Sequence, residues 1–161
     1  MSEGNSQEKA DVERLRTNEK KWSKPLMAAG WNVIPNVIIE KQEALGLDAI
    51  DMNIVVHLSH YWWHPDNLPH PSVATIAKAI GVKPRTVQKH IKRLEAANLV
   101  KREERRHTKL GSATNLYDLS GLIEAAKPFA AEKMSEITRA KEAKKERLSR
   151  KKPRLVVDNE I

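Results

Sequence analysis

Arg85, Thr86, Gln88, Lys89, Lys92 and Arg93 lie within one short stretch, and each carries a donor that can reach a phosphate oxygen or the edge of a base. An arginine pairs bidentately with a guanine edge, and a glutamine pairs with an adenine edge. Lys89 and Lys92 suit phosphates, as flexible point charges. Thr86 is small enough to touch a thymine methyl or a phosphate. Further along, Arg105, Arg106, His107 and Lys109 form a second basic group around Gly111. Lys83 precedes the first group, and Ser72 stands at the start of the element before it.

The charge distribution supports this choice. The chain has 161 residues, 29 Lys and Arg against 21 Asp and Glu, and a net charge of +8. Residues 83–110 alone hold ten bases and three acids, a net +7. Residues 131–161 add ten bases and six acids, while the rest of the chain is neutral to slightly acidic. Attraction to phosphate depends on charge within a Debye length of about 8–10 Å, so this local density counts for more than the total.

Other chemistries find little support. Cysteine is absent, which excludes disulfides, thiolate metal sites and a thiol nucleophile. No Gly-rich phosphate loop, nucleophile elbow or His-Glu metal motif occurs. Asp48 and Asp51 read as helix-start residues and not as a catalytic pair. His57, His60 and His64 could share a helix face, but they lie beside Trp62 and Trp63 without a carboxylate at matching spacing, so packing is the simpler reading. The expectation is a protein without enzyme activity, cofactor or metal, and with no small-molecule ligand evident. No apolar run approaches the roughly 18 residues that span a bilayer, and the polar N-terminus is no secretory signal. The expected setting is the cytoplasm, at the nucleoid.

The elements that must position these residues are legible in outline. Residues 1–21 lack apolar periodicity and read as a disordered or frayed tail. The apolar segment from Trp31 to Ile39 is interrupted by Pro35 and reads as an extended lead-in packed on the core. Asp48 opens a helix whose Ile50, Ile54 and Leu58 recur at four-residue steps. Three prolines between His64 and Pro71 end it. Ser72 then caps a short helix with Val73, Ile76, Ala77 and Ile80 on one side, and Gly81 terminates it. Pro84 starts the next helix at the position where a missing N–H costs nothing. That helix reaches about Ala97, with Val87, Ile91 and Leu94 inward and the basic residues outward.

Leu99–Glu103 and Thr114–Leu119 read as two strands joined by the second basic group. Ser120 reads as the cap of a further helix, with a kink or break at Pro128. Beyond Ala130 the sequence favours a charged helix to about Lys151. Its Met134, Ile137 and Leu148 are too sparse for a coiled-coil seam, and residues 152–161 read as a flexible tail. The domain plan is therefore an N-terminal tail over 1–21, a domain over 22–130, and a basic helical extension over 131–161.

A short helix, a glycine turn and a basic helix followed by a basic hairpin define a helix-turn-helix with a wing. The stretch from Ile34-Pro35-Asn36 through Pro71-Ser72, Thr75-Ile76-Ala77, Gly81-Val82 and Arg85-Thr86-Val87-Gln88 to Leu99-Val100 resembles the winged helix-turn-helix domains of bacterial, phage and plasmid DNA-binding proteins. The resemblance spans roughly residues 31–122. It implies a mainly α fold with a small β-hairpin, and sequence-specific binding of double-stranded DNA. On it, the helix over about 84–97 enters the major groove, and the wing over about 103–113 lies on the backbone or in the minor groove. The implied DNA-contacting set is Ser72, Lys83, Arg85, Thr86, Gln88, Lys89, Lys92, Arg93, Arg105, Arg106, His107 and Lys109. Lys83 departs from the usual serine cap of that helix, which removes a side-chain cap of about 1 kcal/mol. The resemblance fits a transcriptional regulator, or alternatively a plasmid or phage replication-initiation protein at an origin. A protein–protein adaptor fits less well, because the exposed face is basic. A homodimer is a further expectation, because one recognition helix reads few base pairs; the sequence offers either Trp22–Ile39 or the helix from Ser120 to Ile137 as its surface and does not choose between them.

Overall fold

A computed structural model describes residues 3–107 and 111–150 of the chain. In chain order the helices are α1 (Glu3–Trp22), α2 (Lys24–Ala28), α3 (Asn36–Glu40), α4 (Ala49–His60), α5 (Val73–Ile80) and α6 (Pro84–Ala96). Strands β1 (Lys101–Glu103), β2 (Arg106–His107), β3 (Gly111–Ser112) and β4 (Leu116–Asp118) follow, and α7 (Ser120–Arg150) ends the described chain. The fold is mainly helical with one small hairpin, as expected. Among the described residues no helix is long and apolar enough to cross a membrane.

The core lies where α4, α5 and α6 meet the base of the hairpin and the first turns of α7. The three inward residues of α6 are fully buried, with Val87 at 0 %, Ile91 at 2 % and Leu94 at 1 % exposure. They meet Ile54 and Leu58 of α4, Ile76 of α5, and Leu122 of α7 in one apolar cluster. Burial of each such side chain contributes about 1.5–3 kcal/mol, so this cluster holds α6 with its polar side outward.

The connection between α5 and α6 is tight because of its chemistry. Ser72 Oγ accepts from the Thr75 amide at 3.0 Å and caps α5. Gly81 takes the left-handed conformation at φ 82°, which costs glycine little. The amides of Gly81 and Val82 then both donate to the Ala77 carbonyl. Lys83 precedes α6 in extended conformation and makes no side-chain cap, in keeping with its departure from the usual serine.

The hairpin pairs β1 with β4 antiparallel, with Arg102 opposite Tyr117, and continues outward as β2 with β3. The regular strands are shorter than the apolar pattern implies. Leu99 and Val100 are core residues ahead of β1, since their backbone amides close α6 by donating to the Leu94 carbonyl. Tyr117 is buried at 1 % exposure, and its amide donates to the Pro69 carbonyl at 2.9 Å. The proline-rich loop is thereby fastened to the root of the wing.

Four local expectations change. The lead-in is extended only as far as Pro35, which precedes α3; its φ of −58° suits a helix start. Within α3, Ile38 is buried and Ile39 exposed. Ser120 is the first residue of α7 and not its cap, and its amide donates to Asp118 Oδ1 at 2.8 Å. Pro128 does not break the helix, because α7 runs through it for 31 residues. Pro128 and Glu124 are both exposed, so the carbonyl that loses its amide partner faces water. Residues 3–22, read as a disordered or frayed tail, form helix α1; its described side chains contribute nothing to the core.

The start of α7 crosses the end of α6 at very close range. Leu122 N donates to the Leu99 carbonyl at 2.8 Å. A Cβ on Gly121 would lie 1.9 Å from the Asn98 carbonyl oxygen. Gly121→Ala therefore forces backbone apart, and the expected loss is about 1–3 kcal/mol. Chemical denaturation should show a lower midpoint at unchanged slope.

Candidate nucleic-acid interface

Helix α6 has two sides of different chemistry. Arg85, Gln88, Lys89 and Lys92 are exposed, Thr86 is half-buried, and Lys83 is exposed at the helix start. Arg85, Lys89 and Lys92 form no ion pair among the described residues. They present an uncompensated positive face directly opposite Val87, Ile91 and Leu94.

Arg93 is placed differently from the rest of the set. Its guanidinium donates to Asp48 Oδ2 at 2.5 Å and to the Gly46 carbonyl at 2.8 Å, and lies 3.3 Å from Asp51 Oδ2. It binds the start of α4 and not the open face. His90, one turn earlier, places Nδ1 2.7 Å from Asp51 Oδ1. Asp51 is fully buried at 0 % exposure. It also completes a reciprocal cap: Asp48 Oδ1 accepts from the amides of Ile50 and Asp51, and Asp51 Oδ2 accepts from the amide of Asp48. Two carboxylates at the start of α4 thus hold two cationic or donor side chains of α6.

Sequence reasoning missed His90 and assigned Arg93 elsewhere. A signal was available in the aspartate that closes the cap, because its second oxygen needs a donor when buried. Asp48, Asp51 and His90 are also the one group of three acidic or histidine ligand atoms within 4.8 Å of one another among the described residues. The Arg93 guanidinium already sits against both carboxylates, which opposes a cation there. His57, His60 and His64 form no such group among these residues. Burial, and then the neighbouring His60, push the His57 imidazole below its ordinary pKa.

The wing is braced internally. Arg105 Nε donates to the Thr114 carbonyl at 2.8 Å and its Nη2 to Thr114 Oγ1 at 3.1 Å, so it ties the two sides of the hairpin together. Arg102 reaches Glu95 of α6 at 3.2 Å and sets the wing against that helix. Arg106 and His107 lie in β2 beyond this brace. Lys109 lies outside the described residues. Ser72 is half-buried and occupied as the cap of α5, with its Oγ 2.8 Å from Thr75 Oγ1.

Residues 45–100 match a protein family described as "Helix-turn-helix domain". The chain carries a winged helix-turn-helix domain. Around it, α4 supplies the supporting helix, α5 and α6 the two helices of the motif, and β1–β4 the wing. No curated protein matches the whole sequence significantly. Among solved structures, the N-terminal domain of DnaD protein from Geobacillus kaustophilus HTA426 is similar, at 16% identity and a TM-score of 0.50. That match covers 74% of this chain and 96% of that one. The S. aureus MepR–DNA complex is also similar, at 19% identity and a TM-score of 0.41, over 88% of this chain and 98% of that one. The first of these agrees with the winged helix-turn-helix domain as the fold.

Burial by itself would raise the pKa of Asp48. The Asp51 amide, the His90 imidazole and Arg93 together outweigh it and hold the carboxyl below its ordinary value. The stability that Asp48 contributes is therefore present above its unfolded pKa of about 3.9 and lost as pH falls through the lower folded value. Asp48→Asn should flatten the acid limb of a stability–pH curve and leave its neutral-to-alkaline shape alone. Asp51→Ala leaves His90 and the Asp48 amide without their acceptor, for an expected loss of about 3 kcal/mol. Urea unfolding measures both.

Proposed function

We propose that the chain binds double-stranded DNA sequence-specifically, with α6 in the major groove and the wing on the adjoining backbone or minor groove. The single observation that carries the reading is the exposed set Arg85, Lys89 and Lys92, without an ion pair among the described residues and with Gln88 among them, on the helix that the fold presents outward. In this reading Arg85 and Gln88 meet base edges, Lys83, Lys89 and Lys92 meet phosphates, and Thr86 packs at the groove wall. Arg105, Arg106, His107 and Lys109 serve the wing, with Arg105 acting through its brace on Thr114. Arg93 and Ser72 contribute by holding α6 and α5 in place. The role that best fits such a domain is regulation of transcription. No catalytic step is assigned.

The reading further takes the protein to act as two copies. One recognition helix reaches few base pairs, and paired half-sites about 34–36 Å apart give a two-fold protein its specificity.

Selection of bound duplexes from a random library supplies the site. A palindromic consensus is expected; tandem repeats would favour origin binding, and absence of any enrichment would overturn sequence-specific reading. On the selected duplex, Arg85→Ala should cost about 1–3 kcal/mol, and Lys89→Ala should lower the salt slope by about 1. If the double variant kept both the affinity and the salt slope of the native protein, the DNA assignment to α6 would fall.

A further inference from the structure

Two helices of this chain leave an apolar line uncovered. On α1, Val12, Leu15 and Trp22 are exposed at 45, 43 and 57 %. With Glu19 between them they follow steps of three and four residues, so they share one side of the helix. On α7, Ile123 and Met134 are exposed at 37 and 61 %. Lys127 and Ala130 complete the same three-and-four spacing, which continues through Ile137, Lys141 and Lys144.

Both lines meet at one place. A groove of about 640 Å³ is lined by Trp31, Trp62, Trp63 and Ile123. A neighbouring groove shares Trp31 and adds Trp22 and Leu26. The four tryptophans of the chain therefore surround one apolar trough. Helix α1 ends there and α7 begins there. Tryptophan in a desolvated pocket is the side chain most often dominant in binding energy, and three of these four are more than half exposed.

We propose that a second copy of this chain covers these surfaces, with α1 of one copy lying antiparallel on α7 of the other, twice, about a two-fold axis. The alignment follows from joining the troughs: Trp22 falls opposite Ile123, Glu19 opposite Lys127, Leu15 opposite Ala130, and Val12 opposite Met134. Each apolar residue meets an apolar one, the large Leu15 meets the small Ala130, and the one acid meets Lys127, which within its own helix is held by Glu124 at 2.5 Å. Charge selects this pairing over the alternatives. Two α7 helices packed on each other would bring Lys141 and Lys144 into one seam, and two α1 helices would place Glu19 in theirs; like charges in a seam oppose pairing. Helix α1 runs into α2 through Ser23, whose amide donates to the Glu19 carbonyl, while its line of Val12 and Leu15 stays exposed. Because the contact is made twice, a sparse line on each helix is doubled, and closure at two copies limits further growth. The inference rests on the two-copy part of the proposed function and names its interface.

The full chain without DNA is the material for the test, with circular dichroism confirming fold. Sedimentation equilibrium should show a dimer. Glu19→Lys and Lys127→Glu should each raise the dimer dissociation constant by about fivefold, and the two together should restore it. The chain has no native cysteine, so mixing a Val12→Cys chain with a Met134→Cys chain under mild oxidation should give a disulfide between two chains. Retained dimer with no response to the charge swaps and no cross-link would overturn this interface while sparing the two-copy reading. A disulfide formed within one chain carrying both cysteines, in preference to one between chains, would overturn it in favour of α1 folding onto its own α7. A monomer at all concentrations would overturn both, and leave DNA reading by α6 to its own test.

Discussion

The position of α6 depends on an electrostatic contact at the start of α4. Asp51 is buried without any exposure, and a buried carboxylate is tolerated only when its oxygens are satisfied. Here one oxygen closes the cap with the Asp48 amide, and the other meets His90. Arg93 bridges Asp48 and the Gly46 carbonyl from the next turn of α6. Apolar packing of Val87, Ile91 and Leu94 is nondirectional and would tolerate some rotation of the helix. The hydrogen-bonded contact is directional and fixes which residues remain outside.

That constraint sorts the basic residues of α6 by role. Arg93 has its charge answered by carboxylates, so it serves the fold. Arg85, Lys89 and Lys92 have no such answer among the described residues and give the outward face its field. The wing follows the same division. Arg102 is spent on Glu95 and Arg105 on Thr114, which makes the hairpin a firm extension of α6. A site on rigid elements with locked supporting residues holds its geometry better than one on free loops.

Much of this was legible beforehand. The cap at Asp48, the cap at Ser72, the left-handed Gly81, and Pro84 at the helix start are local events decided by a few neighbouring residues. The inward face of α6 follows from period alone, and all three of its residues are buried. The differences between pattern and placement have a common physical origin. Pro128 was weighed by its lost donor, yet the freed carbonyl lies on a solvated side of α7, where water substitutes. Ser120 was weighed by its side chain, yet Asp118 supplies the oxygen. Arg93 was weighed by its charge and by its place among other bases. Its partners lie 45 and 47 positions earlier in the chain, and a linear pattern carries no information about that distance.

By itself, the sequence determined the order of elements, the two faces of α6 and the concentration of positive charge at residues 83–110. These follow from propensity, periodicity and composition, which act within a turn or two of the chain. Only the tertiary structure decided which bases stay available, because that depends on carboxylates brought in from α4. It alone showed that Gly121 must be glycine, since the Asn98 carbonyl oxygen approaches to within 1.9 Å of where a Cβ would stand. It also gathered four tryptophans, scattered from residue 22 to residue 63, around one trough. Sequence separation and spatial separation are independent once a chain is folded, so contacts of this kind become visible only in the fold.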